Sequence, residues 1–252
     1  MRKLQLITVI ALLISSPLFA VDHLAGNAIE FDGNGDYVSM ASLIGNPVTG
    51  TIMVWAYTNS YDTGYNQLNL IFGQGDNLQL GLGDSSLSAD GKWVFRLNDG
   101  GFKNAIGPLV TLDRWTHVAA TWDGTNIILY LDGNEATRLT AGSPKSASAG
   151  IRFGAHPFAN QNYWDGLLDE ISVWNIALSQ AQIQEKMHTT LGSEFYGDPA
   201  SGLILYLPCN EDPGSPIAFD LTSTNNNGTL SGNADFVSSS APLNLIFADG
   251  YE

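Results

Sequence analysis

Apolar side chains along this chain fall in short runs rich in β-branched and aromatic residues: AIEF, YVSM, TIMVWAY, LNLIFG, LQLGL, KWVFRL, THVAATW, NIILYLDG, IRFGA, LLDEISVWN and GLILYLP. Clusters of glycine, asparagine and aspartate separate the runs. This spacing predicts antiparallel strands in an all-β sandwich. In THVAATW, alternation puts Val118, Ala120 and Trp122 on one side and His117, Ala119 and Thr121 on the other. Both sides are partly apolar, as a strand covered on two faces requires. The following DGTN and DGN segments supply the residues that hairpin turns need.

One segment has helical character. Ser179 is an N-cap with Gln182 three residues on, Ile183 and Met187 share a face, and Gly192 follows. The pattern predicts a short helix near 179–191, plugging one end of the sandwich, with His188 in its last turn against the dipole. The first twenty residues read as an export leader: Arg2 and Lys3, an apolar run, then SSPLFA with cleavage near Ala20. The run is short for a membrane span, and no later stretch approaches about eighteen consecutive apolar residues. The expected location is therefore secreted, periplasmic or at the cell surface, with no transmembrane segment in the mature chain.

Composition narrows the partners. The net charge is −15 at pH 7, and loss of the two leader cations leaves eight basic against twenty-five acidic residues. Such a surface repels phosphate backbones, so nucleic acid is not an expected partner. Acidity also serves solubility alone. Cys209 is the only cysteine, so an exported chain cannot close an internal disulfide, and 44% hydrophobic residues must supply the stability through a core. Cys209 itself reads as a small buried residue.

The stretch FDGNGDYV, with Asp32, Asn34 and Asp36 around two glycines, invites a calcium reading. An EF-hand loop counted from Asp32 would need glycine where Tyr37 stands and glutamate where Leu43 stands, so that reading fails. A tight turn between two strands accounts for the same residues without a metal.

Four segments in order, AIEFDGNGDYVSM, GTIMVWAY, RWTHVAATWDGTNIILYLDGN and GLLDEISVWNIALSQAQI, resemble the laminin G-like jelly rolls of the concanavalin A-like lectin and glucanase superfamily. The resemblance spans Ala25 to Met187, and its third and fourth segments are the specific ones. A C-terminal piece, GLILYLPCNEDPGSPIAFDLTSTNNNGTLSG, resembles a segment that often precedes the opening strands in this family. The resemblance implies one domain over 21–243, with 193–243 as a permuted edge segment. The tail at 244–252 resembles those that end many exported bacterial proteins. Many of these sandwiches hold calcium between loops, and the candidate carboxylates here are Asp32, Asp36, Asp169, Glu211 and Asp220. An ion shared with the last two would pin the permuted segment to the opening strands.

The glucanase relatives carry two glutamates and an aspartate on alternate positions of one strand. Here LLDEISVW offers Glu170, followed on that face by Ser172 and Trp174, so no catalytic residues are assigned and no enzyme is expected. The dispersed histidines form no other catalytic pattern, and His117 reads as a hydrogen-bonded core residue. The expected function is a non-catalytic module recognising a glycan or a surface protein, the alternative being an adhesion spacer. Sugar stacking requires loop aromatics, and Tyr61, Tyr65, Tyr163 and Trp164 are the candidates. Trp164 has a second reading, in which it packs under its own loop.

Overall fold

The computed structural model describes residues 26–41, 48–62, 68–145, 150–193 and 201–243. The leader and the C-terminal tail lie outside these residues. In chain order the strands are β1 (Asn27–Asp32), β2 (Tyr37–Met40), β3 (Gly50–Ser60), β4 (Asn69–Gln74), β5 (Leu78–Leu82), β6 (Lys92–Asn98), β7 (Phe102–Leu109) and β8 (Trp115–Trp122). There follow β9 (Asn126–Leu131), β10 (Asn134–Thr140), β11 (Ile151–Phe153), β12 (Asp165–Trp174), β13 (Leu203–Leu207), β14 (Ile217–Ala218), β15 (Gly228–Ser231) and β16 (Asp235–Ser238). One helix, α1 (Gln180–Lys186), separates β12 from β13.

The strands form two antiparallel sheets, as the alternation predicts. The first runs β10-β9-β8-β3-β12-β1-β16, with β13 also on β12; the second runs β14-β15-β2-β11-β4-β5-β6-β7. Between them lies one large core, in which Phe31, Phe95, Trp93, Trp122, Trp164 and Phe236 are fully buried. Val118, Ala120 and Trp122 enter this core, whereas Ala119 belongs to a second cluster on the other side of β8. Strand β12 is the hub. It pairs with β3 along one side, and along the other with β1 through Leu168 and with β13 from Ile171. The close approach to β3 requires glycine at 166, where φ is +145° and a Cβ would lie 1.9 Å from the Tyr57 carbonyl oxygen.

Strands from both ends of the chain share both sheets, and carboxylates tie them together. Asp36 is buried in the β1–β2 turn, where it accepts from the Asp32 amide (2.9 Å) and the Asn233 amide between β15 and β16 (2.5 Å). Asp169 accepts from the Ser239 hydroxyl (2.6 Å) and the Glu170 amide. Asp220 collects amides of Tyr206, Thr222 and Asn226 and hydroxyls of Thr222 and Thr224, at 2.6–3.1 Å. Each carboxyl group is thus engaged by protein donors, and burial raises the pKa of Asp169 well above the usual aspartate value.

The helix differs from its expected form in two ways. The capping box at Ser179 and Gln182 is present, but α1 ends at Lys186 with Met187 as C-cap, well before Gly192. It also lies on the outer face of the first sheet rather than at an end of the sandwich. Ile183 packs there among Met53, Ala119, Tyr130, Trp174 and Tyr206, an apolar patch contributed by five adjacent strands. His188 lies past the helix, with Nδ1 2.8 Å from the Pro242 carbonyl. His117 is buried against Trp55, as a core residue should be, but its Nδ1 has no hydrogen-bond partner. Burial, with His188 nearby, lowers its pKa to about 3, so the ring is neutral.

Beneath the segment after α1, Glu170 sits at a bulge with φ of +51°. It accepts from the Tyr206 hydroxyl at 2.5 Å, and that hydroxyl in turn accepts from the Leu191 amide. Burial raises the Glu170 pKa to about 7, against the opposing Tyr206 and Thr190 hydrogen bonds. The folded state therefore holds a proton here that the unfolded chain gives up near pH 4.5, so this contribution is present below that pH and is lost as pH rises through about 7. Glu170→Gln should match wild type at pH 5 and exceed it by on the order of 2 kcal/mol at pH 8. Denaturant melts at the two pH values measure this; a gap independent of pH would contradict it. Asp220→Ala should cost about 3 kcal/mol, the scale of charge-assisted hydrogen bonds. That loss should be equal in chelator and in saturating calcium, whereas a decrement confined to calcium would make Asp220 a metal ligand.

Candidate functional site

Three strand ends lie level at one rim of the sandwich. Asp32 closes β1, Asp165 opens β12 and Ser60 closes β3, and these three residues are directly opposite one another in register. The Ser60 hydroxyl donates to Asp165 Oδ2, and the Asn59 amide group donates to Oδ1 at 3.1 Å. Asp32 Oδ1 accepts from the Asn34 amide at 2.8 Å, and Oδ2 from Asn233 Nδ2 at 3.3 Å. Slight burial opposes ionisation of Asp32, but these bonds outweigh it and hold the pKa below the usual aspartate value. Two carboxylates thus face each other across β1 and β12.

This rim is the floor of a basin of about 560 Å³. Tyr61 and Asp62, just after β3, form one side with Asn69 at the start of β4. Asp62 and Asn69 are locked together, since the Asp62 amide donates to Asn69 Oδ1 (2.9 Å) and Asn69 Nδ2 to the Asp62 carbonyl (3.1 Å). The opposite side is the loop before β12, through Asn160, Gln161, Asn162 and Tyr163. Its carbonyl at Asn162 accepts from the Leu70 amide, and its Pro157 ring lies over Gly73, where a Cβ would come within 2.7 Å of the ring. Glycine at 73 is what lets the loop fold down onto the second sheet.

Of the four aromatics singled out from sequence, Tyr61 and Tyr163 line this basin and are half-buried. Tyr65 lies outside the described residues. Trp164 does not belong to the site: it is fully buried in the core with its ring 6.2 Å from that of Trp93. Alternation explains the correction, because Trp164 stands two and four residues before Gly166 and Leu168 and shares their inward face. Sequence reading missed the amides at 69, 160 and 162 and the Asp165 carboxylate. An amide-rich loop, FANQNYWDG, was the available signal, but pairing of Asp165 with Asp32 depends on register.

The five carboxylates proposed to share calcium do not make one site. Among the described residues, no three histidine, cysteine, aspartate or glutamate side chains are grouped so as to hold a metal ion. Only Asp32 of the five lines the basin. Asp36, Asp169 and Asp220 are buried and bonded to protein donors, and Glu211 Oε1 accepts from the Phe219 amide at 2.8 Å. The donor set therefore does not fit a shared cation. The C-terminal strands are joined to the opening hairpin by the pairing of β16 with β1 and of β15 with β2, and the bond from the Asn233 amide to Asp36 adds to these ladders.

Glu170, the carboxylate that LLDEISVW offers, is bonded to Tyr206 under the segment after α1 and is not among the residues lining the basin. Cys209 is buried in the core, and burial pushes its thiol pKa well up, so it is a packed neutral side chain.

No curated protein sequence matches this chain at a significant level. Among solved structures, a candidate carbohydrate-binding protein from Bacteroides ovatus is similar over 88% of this chain at a TM-score of 0.69 and 20% identity. The chain spans only 62% of that protein's length. Domain 4 of an extracellular arabinanase from Geobacillus stearothermophilus, solved with arabinotriose, is similar over 63% of this chain and 75% of its own, at a TM-score of 0.50 and 18% identity. At these identities the likeness concerns the fold. A family model described as the concanavalin A-like lectin/glucanases superfamily matches residues 32–184. With that match over more than half its length and two antiparallel layers in the corresponding arrangement, the chain belongs to this superfamily, among its laminin G-like members.

Proposed function

We propose that the chain is an exported, non-catalytic recognition module whose rim basin binds a neutral sugar of a glycan or glycosylated surface. The observation that carries this reading is the lining of the basin, where two half-buried tyrosines stand among side-chain amides and paired carboxylates. The Tyr163 ring offers an apolar face to the C–H side of a sugar, Tyr61 packs against the core and over Gly91 as part of the wall, and amides and carboxylates take the hydroxyls as donors and acceptors. The arabinotriose bound to the arabinanase domain, which has a similar fold, supports the choice of ligand class. Burial of Glu170 behind α1 supports a binding role rather than glycoside hydrolysis. The leader pattern supports export, and among the described residues no helix is long and apolar enough to cross a membrane.

A glycan array on the mature chain tests the reading. Selective binding of neutral glycans is expected, whereas silence across the array would favour an adhesion spacer. Tyr163→Ala should weaken binding about tenfold, the scale of one aromatic contact, while leaving the melting temperature unchanged. Trp164→Ala should instead cost about 3–5 kcal/mol of stability, as a large core truncation. Wild-type affinity in the Tyr163 variant would move the site elsewhere.

A further inference from the structure

A second cavity, of about 140 Å³, lies on the outer face of the second sheet. Its floor is Gln79 of β5 and Arg96 of β6, paired in register and pointing away from the core to which Leu78, Leu80, Phe95 and Leu97 belong. Leu68, Gln161 and Asn162 line both this cavity and the rim basin. The two spaces are therefore separated only by one wall, the loop held down over Gly73.

Two of the residues that line this cavity carry a buried acceptor without a donor. Asp84 is fully buried; its Oδ1 takes the amides of Ser86 and Leu87 and the Ser86 hydroxyl, but Oδ2 has no partner. Asn162, 6% exposed, leaves its Oδ1 unpartnered as well. A buried carboxylate oxygen without a donor is costly, so a ligand that brings hydrogens is favoured. Donors are also on offer. Arg96 spends Nε on Asn104 (2.8 Å) and Nη1 on Gln79 Oε1 (3.3 Å), leaving Nη2 and the Gln79 amide nitrogen for an incoming acceptor. The charge does not favour an anion, because Asp84 and Asp76 already offset the guanidinium. Unpartnered acceptors beside free donors, in a space worth about five waters, match the hydroxyls of one sugar ring.

We propose that this cavity is a second sugar subsite, so that the ligand is a neutral oligosaccharide with one unit in the basin and a neighbouring unit across the Gln161–Asn162 wall, bonded to Asp84, Asn162 and Arg96. The proposal rests on the sugar-binding reading of the basin. Calorimetry on the full chain with arabino-, xylo-, manno- and cello-oligosaccharides of one to five units tests it. Affinity should climb steeply when the ladder first becomes long enough to fill both spaces. Asp84→Asn, which keeps the Oδ1 acceptor of the turn but converts Oδ2 to a donor, should lower affinity for the longer sugars about tenfold and leave the shortest binder unaffected. Gln79→Ala, which leaves that turn intact, should do the same. Tyr163→Ala should weaken every length. If both cavity variants bind all lengths as wild type does while Tyr163→Ala weakens every length, the cavity holds only water and the inference is overturned with the basin reading intact. If no ladder binds wild type, the basin reading fails and this inference falls with it.

Discussion

Burial of the Trp164 ring between the two sheets is the constraint on which the candidate site depends. Its packing against Trp93 removes a large apolar surface from water, on the order of 150–250 Å², which stabilises by about 4–6 kcal/mol. Its indole nitrogen has no hydrogen-bond partner, a cost of about 1–3 kcal/mol, so packing wins. The Trp164 amide also donates to the Gly154 carbonyl at 2.9 Å, which ties together the two ends of the intervening loop. With its middle held by Asn162 to Leu70 and by Pro157 over Gly73, that loop becomes a fixed wall. Side chains on such a wall lose little freedom when a ligand arrives, which is how a polar, shallow surface can gain affinity.

The sequence revealed the sandwich because the inner strands carry their burial in their pattern. Val118, Ala120 and Trp122 face the main core while Ala119 faces the helix, and both assignments follow from period two alone. The strands that escaped notice are those whose side chains are not buried. β10 is exposed along nearly its whole length and β7 mixes Gly107 and Pro108 with exposed Phe102 and Leu109, so neither shows alternation. Each is the edge of its sheet, and an edge strand is specified by its neighbour's backbone rather than by a hydrophobic face. The short β14, β15 and β16 escaped because two to four residues with few buried side chains are too short to show alternation.

The site was half legible for a different reason. Loop composition pointed to Tyr61 and Tyr163, since aromatic side chains among asparagines and glycines have few other uses. It could not separate Tyr163 from Trp164, adjacent residues of similar chemistry, because that distinction depends on where β12 begins and which way its pleat starts. The cavity behind the wall was not legible at all. Gln79, Asp84, Arg96 and Asn162 come from separate segments, and what unites them is strand register and two oxygen atoms left without donors.

The acidic composition bears on how the molecule holds together. Ten basic residues cannot pair with twenty-five acidic ones, and two of the ion pairs among the described residues, Arg114 with Asp132 and Arg138 with Glu135, are exposed and contribute little. The buried carboxylates are bonded instead to backbone amides and hydroxyls, some of them from segments distant in sequence. Asp36 joins the opening hairpin to the β15–β16 turn, and Asp169 joins β12 to the chain after β16. A donor has a fixed position once its strand is paired, so each bond both satisfies a buried carboxyl oxygen and sets the location of the C-terminal strands. Of the acidic residues read from sequence as metal ligands, Asp36 and Asp169 act in this way as fasteners between segments far apart in the chain, while Asp220 and Glu211 hold the C-terminal segment to itself.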